Sequence, residues 1–201
     1  MRYRRVFLPG ASYFFTLIVH QRAPLFSDPL AVDLLTRAVR KVQTERPFML
    51  EAQVVLPDHL HVLWTLPEGD TDYPTRVRLI KAAFTRLILR THPLAERSPS
   101  RVAKGEQAVW QRRYWEHTIR NERDFQAHLD YIHINPVKHG LVSAARDWPH
   151  STFRDWVARG APMTSRGDRE KCRRFPSGLA RNELGYARIR GSARMARSGP
   201  R

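Results

Sequence analysis

Acidic residues, cysteine and long apolar runs are all scarce in this chain of 201 residues. Only 19 Asp and Glu stand against 35 Lys and Arg, and the net charge of +16 favours a polyanionic partner such as nucleic acid. The lone cysteine, Cys172, excludes a disulfide framework and a cysteine-based zinc site, and it suits a reducing cytoplasm. No apolar run approaches the length of a membrane span, and the N-terminus has no signal-peptide core. We therefore expect a cytoplasmic protein without a membrane partner.

The apolar residues, which make up 42% of the chain, recur with the periods of strands and helices. Runs rich in β-branched and aromatic residues predict strands over 13–20, 50–56, 60–66 and 109–119. Helical spacing predicts helices over 29–46 and 74–91. The exposed side of the second helix is expected to be basic, with Arg76, Arg78, Lys81, Arg86 and Arg90. The order β-α-β-β-α-β predicts an α+β, ferredoxin-like fold, in which both helices cover one face of a four-stranded antiparallel sheet.

An added C-terminal helix is predicted to cross the open face of this sheet. It begins at Asn121, an N-cap residue with Asp124 three positions on, and it ends near Ile134 because Pro136 follows. The apolar stripe of the helix leaves Tyr131 to one side. That offset suits a side chain that points at a site, and the alternative is a core residue, since a tyrosine on an amphipathic helix is more often part of the core.

The last part of the chain, residues 157–201, has a different composition. It holds 12 Lys or Arg and 3 Asp or Glu, a net charge of +9, and few aliphatic residues. Such a segment cannot bury enough apolar surface to offset its chain entropy. We therefore expect a folded domain over 1–156 and a basic, disordered tail over 157–201 that holds DNA electrostatically.

A His-x-His motif, His59-Leu60-His61, lies at the start of a predicted buried strand. Residues two apart on a strand point to the same face, so the two imidazoles project side by side while Leu60 enters the core. Two imidazoles held in this way can bind a divalent metal ion. An ordinary pair of strand histidines is the alternative.

Three further stretches accompany this motif: the opening Tyr3-Arg4-Arg5, the segment 110–117 (Trp-Gln-Arg-Arg-Tyr-Trp-Glu-His), and the segment 131–140 (Tyr-Ile-His-Ile-Asn-Pro-Val-Lys-His-Gly). Together the four resemble the REP-associated tyrosine transposases. These are relatives of the IS200/IS605 transposases among the HUH single-strand DNA nucleases. The resemblance covers about residues 1–156, and the combination is specific although each stretch alone is not.

The resemblance implies a metal-dependent endonuclease and strand transferase, with Tyr131 as the nucleophile that forms a 5′-phosphotyrosine link. His59 and His61 would bind Mg²⁺ or Mn²⁺. Asn135 would be the third ligand, at a position where the IS200/IS605 relatives have glutamine. Two alternatives remain open there, since Asn135 could cap the helix and Glu116 could supply the oxygen ligand instead. Tyr114 is the main competitor for the role of nucleophile.

The implied partner is single-stranded DNA that carries a REP-type palindromic hairpin and a short 5′ flanking tetranucleotide. Cations hold phosphates, and aromatic rings stack on bases. On this basis the expected DNA contacts are Tyr3, Arg4, Arg5, Gln111, Arg112, Arg113 and Lys138. We expect association with the nucleoid, and a monomer is favoured over an oligomer.

Two other functions are compatible with parts of the sequence. The first is a DNA-binding protein of the same fold that no longer cleaves, but a pure binder has no need of His59, His61 and Tyr131 together. The second is a His-x-His hydrolase of small molecules. The net charge of +16 and the absence of a carboxylate ligand motif argue against that function.

Overall fold

The computed structural model describes residues 6–92 and 96–159. Its strands are β1 (Ser12–Ile18), β2 (Met49–Leu56), β3 (His59–Thr65) and β4 (Trp115–Thr118). Its helices are α1 (Pro29–Glu45), α2 (Tyr73–Ile88), α3 (Pro99–Val102), α4 (Glu122–Lys138) and α5 (Phe153–Ala158), and short 3-10 turns lie at His20–Arg22, Leu25–Ser27 and Ala145–Asp147. No helix within the described ranges combines the length and the apolar character that crossing a bilayer requires.

The four strands form one antiparallel sheet in the order β2-β3-β1-β4. This is the strand order of the ferredoxin-like arrangement, so the predicted fold class is confirmed. The hairpin of β2 and β3 turns at Pro57 and Asp58, and β1 lies beside β3 with Thr16 opposite His61 and Ile18 opposite His59. This register decides which side chains share a face of the sheet.

One face of the sheet packs against α1 and α2 and forms the main core. Alternate residues of the central strands, such as Phe15 and Leu17 of β1 and Leu60 of β3, are buried there. Arg76 of α2 was predicted to be exposed, and that prediction is wrong, because the residue is only 2% exposed. Its guanidinium donates to the Asp70 carboxylate (2.6 Å) and to backbone carbonyls of the loop before β2, and these partners make the burial of a charge tolerable.

The strand β4 is shorter than predicted. The expected strand 109–119 contains only Trp115–Thr118, and upstream of it a single bridge joins Trp110 to Val19. The Trp110 ring packs in the main core at 5.2 Å from Phe84, centroid to centroid, so the chain leaves the sheet before β4 begins. The short helix α3 lies between the predicted helix 74–91 and the predicted strand 109–119, where the sequence pattern indicated neither a helix nor a strand.

The other face of the sheet is covered by α4, which packs across β2 and β3 as predicted. Asn121 caps this helix by accepting a hydrogen bond from the backbone N–H of Asp124 (2.9 Å). The prediction that Pro136 ends the helix is wrong, because α4 continues to Lys138 with Pro136 in its last turn. The helix ends instead just before Gly140, whose φ of 68° is the left-handed conformation that glycine adopts at helix ends.

Two predicted segments fall largely outside the described residues. Of the proposed basic tail over 157–201, only 157–159 is described, and residues 157 and 158 are the end of α5. The N-terminal DNA contacts Tyr3, Arg4 and Arg5 are not described either. The domain boundary at 156 and the role of the tail therefore stay predictions.

Candidate active site

His59 and His61 project from β3 onto the face of the sheet that α4 covers. Leu60 between them points into the main core, as the period of a strand requires. The two imidazole centroids are 4.9 Å apart, and the rings are nearly perpendicular, at 83°. Both histidines are buried. The pair is therefore side by side, in the arrangement that a bidentate metal site needs.

Neighbouring side chains fix the orientation of both rings. His59 Nδ1 lies 2.5 Å from Asp58 Oδ1, and Arg22 donates to the other carboxylate oxygen at 2.8 Å. Burial acts to raise the pKa of Asp58, but the hydrogen bonds and charges of His59 and Arg22 outweigh it and hold the pKa at about 2. The ionised carboxylate accepts the Nδ1 proton of His59, so Nε2 is the nitrogen that can bind a metal.

The second histidine is held in a similar way. His61 Nδ1 lies 2.9 Å from the hydroxyl oxygen of Thr16, which is directly opposite on β1. This contact again leaves Nε2 as the ring nitrogen with the geometry to ligate. The sequence interpretation gave no role to Thr16. The only signal for it was a polar residue inside an otherwise apolar strand, on the same face as His61.

Three side chains spaced four residues apart face the histidine pair: Tyr131 and Asn135 on α4, and His139 at the residue directly after this helix. The Tyr131 ring is 5.2 Å from the His61 ring, and the His139 ring is 5.6 Å from the His59 ring. Asn135 is one turn beyond Tyr131 and one turn before His139, and it is fully buried. Neither of its amide atoms has a hydrogen-bond partner among the described residues. A buried amide in that condition costs free energy, and a bound ion is one of the usual reasons for it.

These donors fit a divalent cation. Two imidazole nitrogens and one amide oxygen are a ligand set that Mn²⁺ and related ions accept. Glu116, the alternative oxygen ligand, lies opposite Phe15 in the register and therefore faces α1 and α2. The sheet separates it from the histidines, so the geometry favours Asn135. The alternative role of Asn135 as a helix cap is wrong, since α4 continues past it.

Lys138 lies over the face of the Tyr131 ring, with Nζ 4.7 Å from the ring centroid. This cation is in place to stabilise a phenolate on Tyr131. The competing tyrosine, Tyr114, packs against the main core, with its ring 6.1 Å from the Phe15 ring. The structure brings Tyr131 to the histidines and leaves Tyr114 on the opposite face of the sheet.

The predicted DNA contacts at 111–113 lie between Trp110 and β4. The backbone N–H of Gln111 donates to the carbonyl of Ile18 at the end of β1. Ile18 is paired with His59 of β3, so the stretch 111–113 lies beside the end of β1 that is nearest the histidine pair. Arg112 donates to Glu106 at 2.5 Å and to the Ser100 hydroxyl at 3.0 Å. Arg113 is exposed.

Comparison with known proteins places this chain in a family. The family described as "Transposase IS200 like" matches residues 8–135. A REP-associated tyrosine transposase of Escherichia coli K12 is 44% identical over 168 residues, which are 83% of this chain and 91% of the relative. A Haemophilus influenzae protein provisionally given the same name is 39% identical over 151 residues, 75% of this chain and 84% of its own.

A solved structure, that of a REP-associated tyrosine transposase bound to a REP hairpin, is similar to this fold with a TM-score of 0.67. It is 44% identical in sequence, and the match covers 81% of this chain and 88% of the other. The chain belongs to the IS200-like transposases and, within them, to the REP-associated tyrosine transposases.

Proposed function

We propose that this transposase binds single-stranded DNA with REP-type hairpins and cleaves and rejoins it through a 5′-phosphotyrosine link on Tyr131. The observation that carries the proposal is a row of three side chains that faces His61 and His59 on β3: Tyr131 and Asn135 on α4, and His139 directly after it. The similar structure bound to a REP hairpin supports the substrate class.

Tyr131 supplies the nucleophile. A tyrosine with an ordinary pKa of about 10 is mostly protonated at neutral pH, so its phenolate needs stabilisation. The ammonium group of Lys138 over the ring provides part of it, and burial strengthens that interaction. When the Tyr131 oxygen attacks phosphorus, the new P–O bond replaces the bond to the 3′ oxygen, leaving a 5′-phosphotyrosine and a free 3′-OH. Rejoining reverses these events, with a 3′-OH as the attacking group.

His59, His61 and Asn135 would hold the divalent ion, Mg²⁺ or Mn²⁺. Bound there, the ion would supply the positive charge that polarises the scissile phosphate and orients the leaving 3′ oxygen. Asp58 and Thr16 keep the two imidazoles in the orientation that exposes Nε2 to the site. Because imidazole is a softer ligand than Mg²⁺ prefers, we expect Mn²⁺ to bind more tightly.

The net charge of +16 supplies the attraction for DNA. Near the site, Lys138 can contact the phosphate backbone, and Gln111, Arg112 and Arg113 can contact bases or phosphates beside the end of β1. Tyr3, Arg4, Arg5 and the basic tail would add further contacts, and binding to genomic hairpins would place the protein on the nucleoid. A monomer would suffice, since one chain supplies every proposed catalytic group.

The test is formation of a covalent protein–DNA adduct on a single-stranded REP hairpin with Mn²⁺. We expect Tyr131→Phe to form no adduct while its hairpin affinity stays close to wild type, because only the phenolic oxygen is removed. Tyr114→Phe is the matched control and should form the adduct normally. An adduct on Tyr131→Phe would place the nucleophile elsewhere. A wild-type protein that binds the hairpin and Mn²⁺ without cleaving would instead support the non-catalytic binding function.

A further inference from the structure

A second group of potential metal ligands lies at the other end of the face that α4 covers. It consists of His117 on β4 and of Asp124 and His128 in the first turns of α4, and one ligand atom from each lies within 4.8 Å of the other two. The two imidazoles are stacked, with centroids 4.6 Å apart and planes 15° from parallel. We call these three residues the β4–α4 cluster.

The contacts inside the cluster converge on the carboxylate of Asp124. His117 Nε2 is 2.8 Å from Asp124 Oδ2, and His128 Nδ1 is 3.3 Å from Asp124 Oδ1. Arg120 also donates to Oδ2, through its side chain (3.0 Å) and its backbone N–H (3.1 Å). Burial acts to raise the pKa of Asp124, but the hydrogen bonds from Arg120 and His117 hold that pKa well below its usual range. The carboxylate is therefore an anionic oxygen donor at every pH near neutrality.

His128 carries the second observation. It is only 3% exposed, and its Nδ1 donates to the backbone carbonyl of Asp124 at 2.8 Å. That hydrogen bond leaves the lone pair on Nε2, which has no hydrogen-bond partner among the described residues. The ring that carries this buried nitrogen stacks on the His117 imidazole, and its Nδ1 is 3.3 Å from the Asp124 carboxylate, so a metal ion at the cluster would satisfy a basic nitrogen that lacks a partner in the described part of the chain.

The cluster is distinct from the His59–His61 pair. The ring of Phe14 lies between them, 5.4 Å from the His61 ring and 4.9 Å from the His128 ring. No residue belongs to both groups. An ion bound at the cluster would therefore be a second ion, separate from the one proposed for cleavage.

We propose that His117, Asp124 and His128 bind a divalent ion of the Zn²⁺ class and so tie β4 to the start of α4. Two imidazole nitrogens and one carboxylate oxygen are a common protein ligand set for zinc, with water in the fourth position. The ion replaces a proton in the His117–Asp124 contact, so binding releases protons and weakens at acid pH. Arg120 still donates to the Asp124 carboxylate when the ion is bound, and this hydrogen bond fixes the orientation of the carboxylate.

The site fixes the helix that carries the nucleophile. His128 is three residues before Tyr131, so an ion that joins Asp124 and His128 to β4 holds the first turns of α4 against the sheet. This role is structural, and the proposal goes beyond the proposed function and does not depend on it.

The first experiment measures zinc stoichiometry on the full chain carrying His59→Gln and His61→Gln, which removes the other histidine pair. We expect about one equivalent of Zn²⁺ in this background, and none after His117→Gln and His128→Gln are added. His133→Gln is the matched control, since His133 is also a buried histidine of α4 but belongs to neither group. It should leave the equivalent in place. A background protein that is folded but binds no zinc overturns the proposal, and so does zinc that survives removal of both cluster histidines.

A second measurement needs no variant of the cluster, so a misfolded quadruple variant cannot decide the outcome. Co²⁺ added to the His59→Gln/His61→Gln protein should give the visible absorption bands of a four-coordinate site with nitrogen and oxygen ligands, and Zn²⁺ should displace them. Zn²⁺ should also raise the Tm of this protein. If Co²⁺ gave no such bands and Zn²⁺ did not raise the Tm, the cluster would bind no metal ion and the proposal would be wrong.

Discussion

Replacement of Asn135 by leucine should move stability and activity in opposite directions. Asn135 is fully buried, and its two amide atoms lack hydrogen-bond partners among the described residues. Leaving such a group in the fold costs about 1–3 kcal/mol, which leucine, with the same branching and number of heavy atoms, would recover. Leucine also favours a helix interior by a few tenths of a kcal/mol. Without metal, we expect Asn135→Leu to raise the free energy of unfolding by about 1–3 kcal/mol and the Tm by several degrees.

The opposite effect should follow when Mn²⁺ is present. An ion at 100 times its Kd stabilises the wild-type fold by about 2.7 kcal/mol, and removal of the third ligand should abolish most of that gain. Asn135→Leu should also form no covalent adduct with a hairpin, whereas Asn135→Gln keeps the carboxamide and serves as the control. The assay is thermal or urea unfolding with and without Mn²⁺, beside the adduct assay. A leucine variant that is less stable without metal, yet shows the wild-type response to Mn²⁺, would refute the ligand role of Asn135.

Four further predictions concern neighbouring features. Asp58→Asn should weaken Mn²⁺ affinity about 10–100-fold with little change in the fold, as measured by calorimetry, because the amide orients the His59 ring less well than the carboxylate. Burial lowers the pKa of His133 to about 4, so the folded state binds its proton more weakly than the unfolded state. Stability should fall as the pH drops from about 6.5 toward 4, by up to about 3 kcal/mol, and His133→Gln should flatten that fall in urea titrations at several pH values. Gly140→Ala should cost about 1–2 kcal/mol in unfolding experiments through its φ of 68° alone, since among the described residues no atom beyond its chain neighbours lies within 4 Å of the added Cβ. Removal of residues 160–201 should flatten the salt dependence of DNA binding, by about 0.7 in slope for each phosphate that this segment neutralises; an unchanged slope would mean that the segment does not touch DNA.

The histidine pair and its face could be predicted because the cause is local. Residues two apart on a strand share a face, and Leu60 between His59 and His61 decides which face is buried in the core. The cap at Asn121 is equally local, since its partner is the N–H of Asp124 three residues on. Such features depend on a few consecutive residues, and the sequence contains all of the information.

The features that were missed depend on partners far away in the chain. Arg76 is buried because Asp70 and the carbonyls of Arg46 and Pro47 meet it there, and no pattern within α2 indicates those partners. The strand β4 is short because the Trp110 ring is drawn into the core beside Phe84 of α2. Propensity for a strand was present over 109–119, and tertiary packing overrode it.

Pro136 shows why such a difference matters for function. A proline in the middle of a helix costs about 3 kcal/mol, which is why it is taken as a stop signal. In the last turn of α4 the missing N–H of Pro136 removes a single hydrogen bond, and the fixed φ of proline suits a helix. The helical hydrogen bonds resume after it, because the His139 N–H donates to the Asn135 carbonyl at 3.0 Å. The extra turn keeps Lys138 and His139 on the helical spacing of Tyr131, where they reach the Tyr131 ring and the His59 ring. Had the helix ended at Ile134, Asn135 would have been a cap, and the spacing that brings Lys138 to the Tyr131 ring and His139 to the His59 ring would be lost. The half of the site on α4 therefore depends on a helix that continues through its proline toward Gly140.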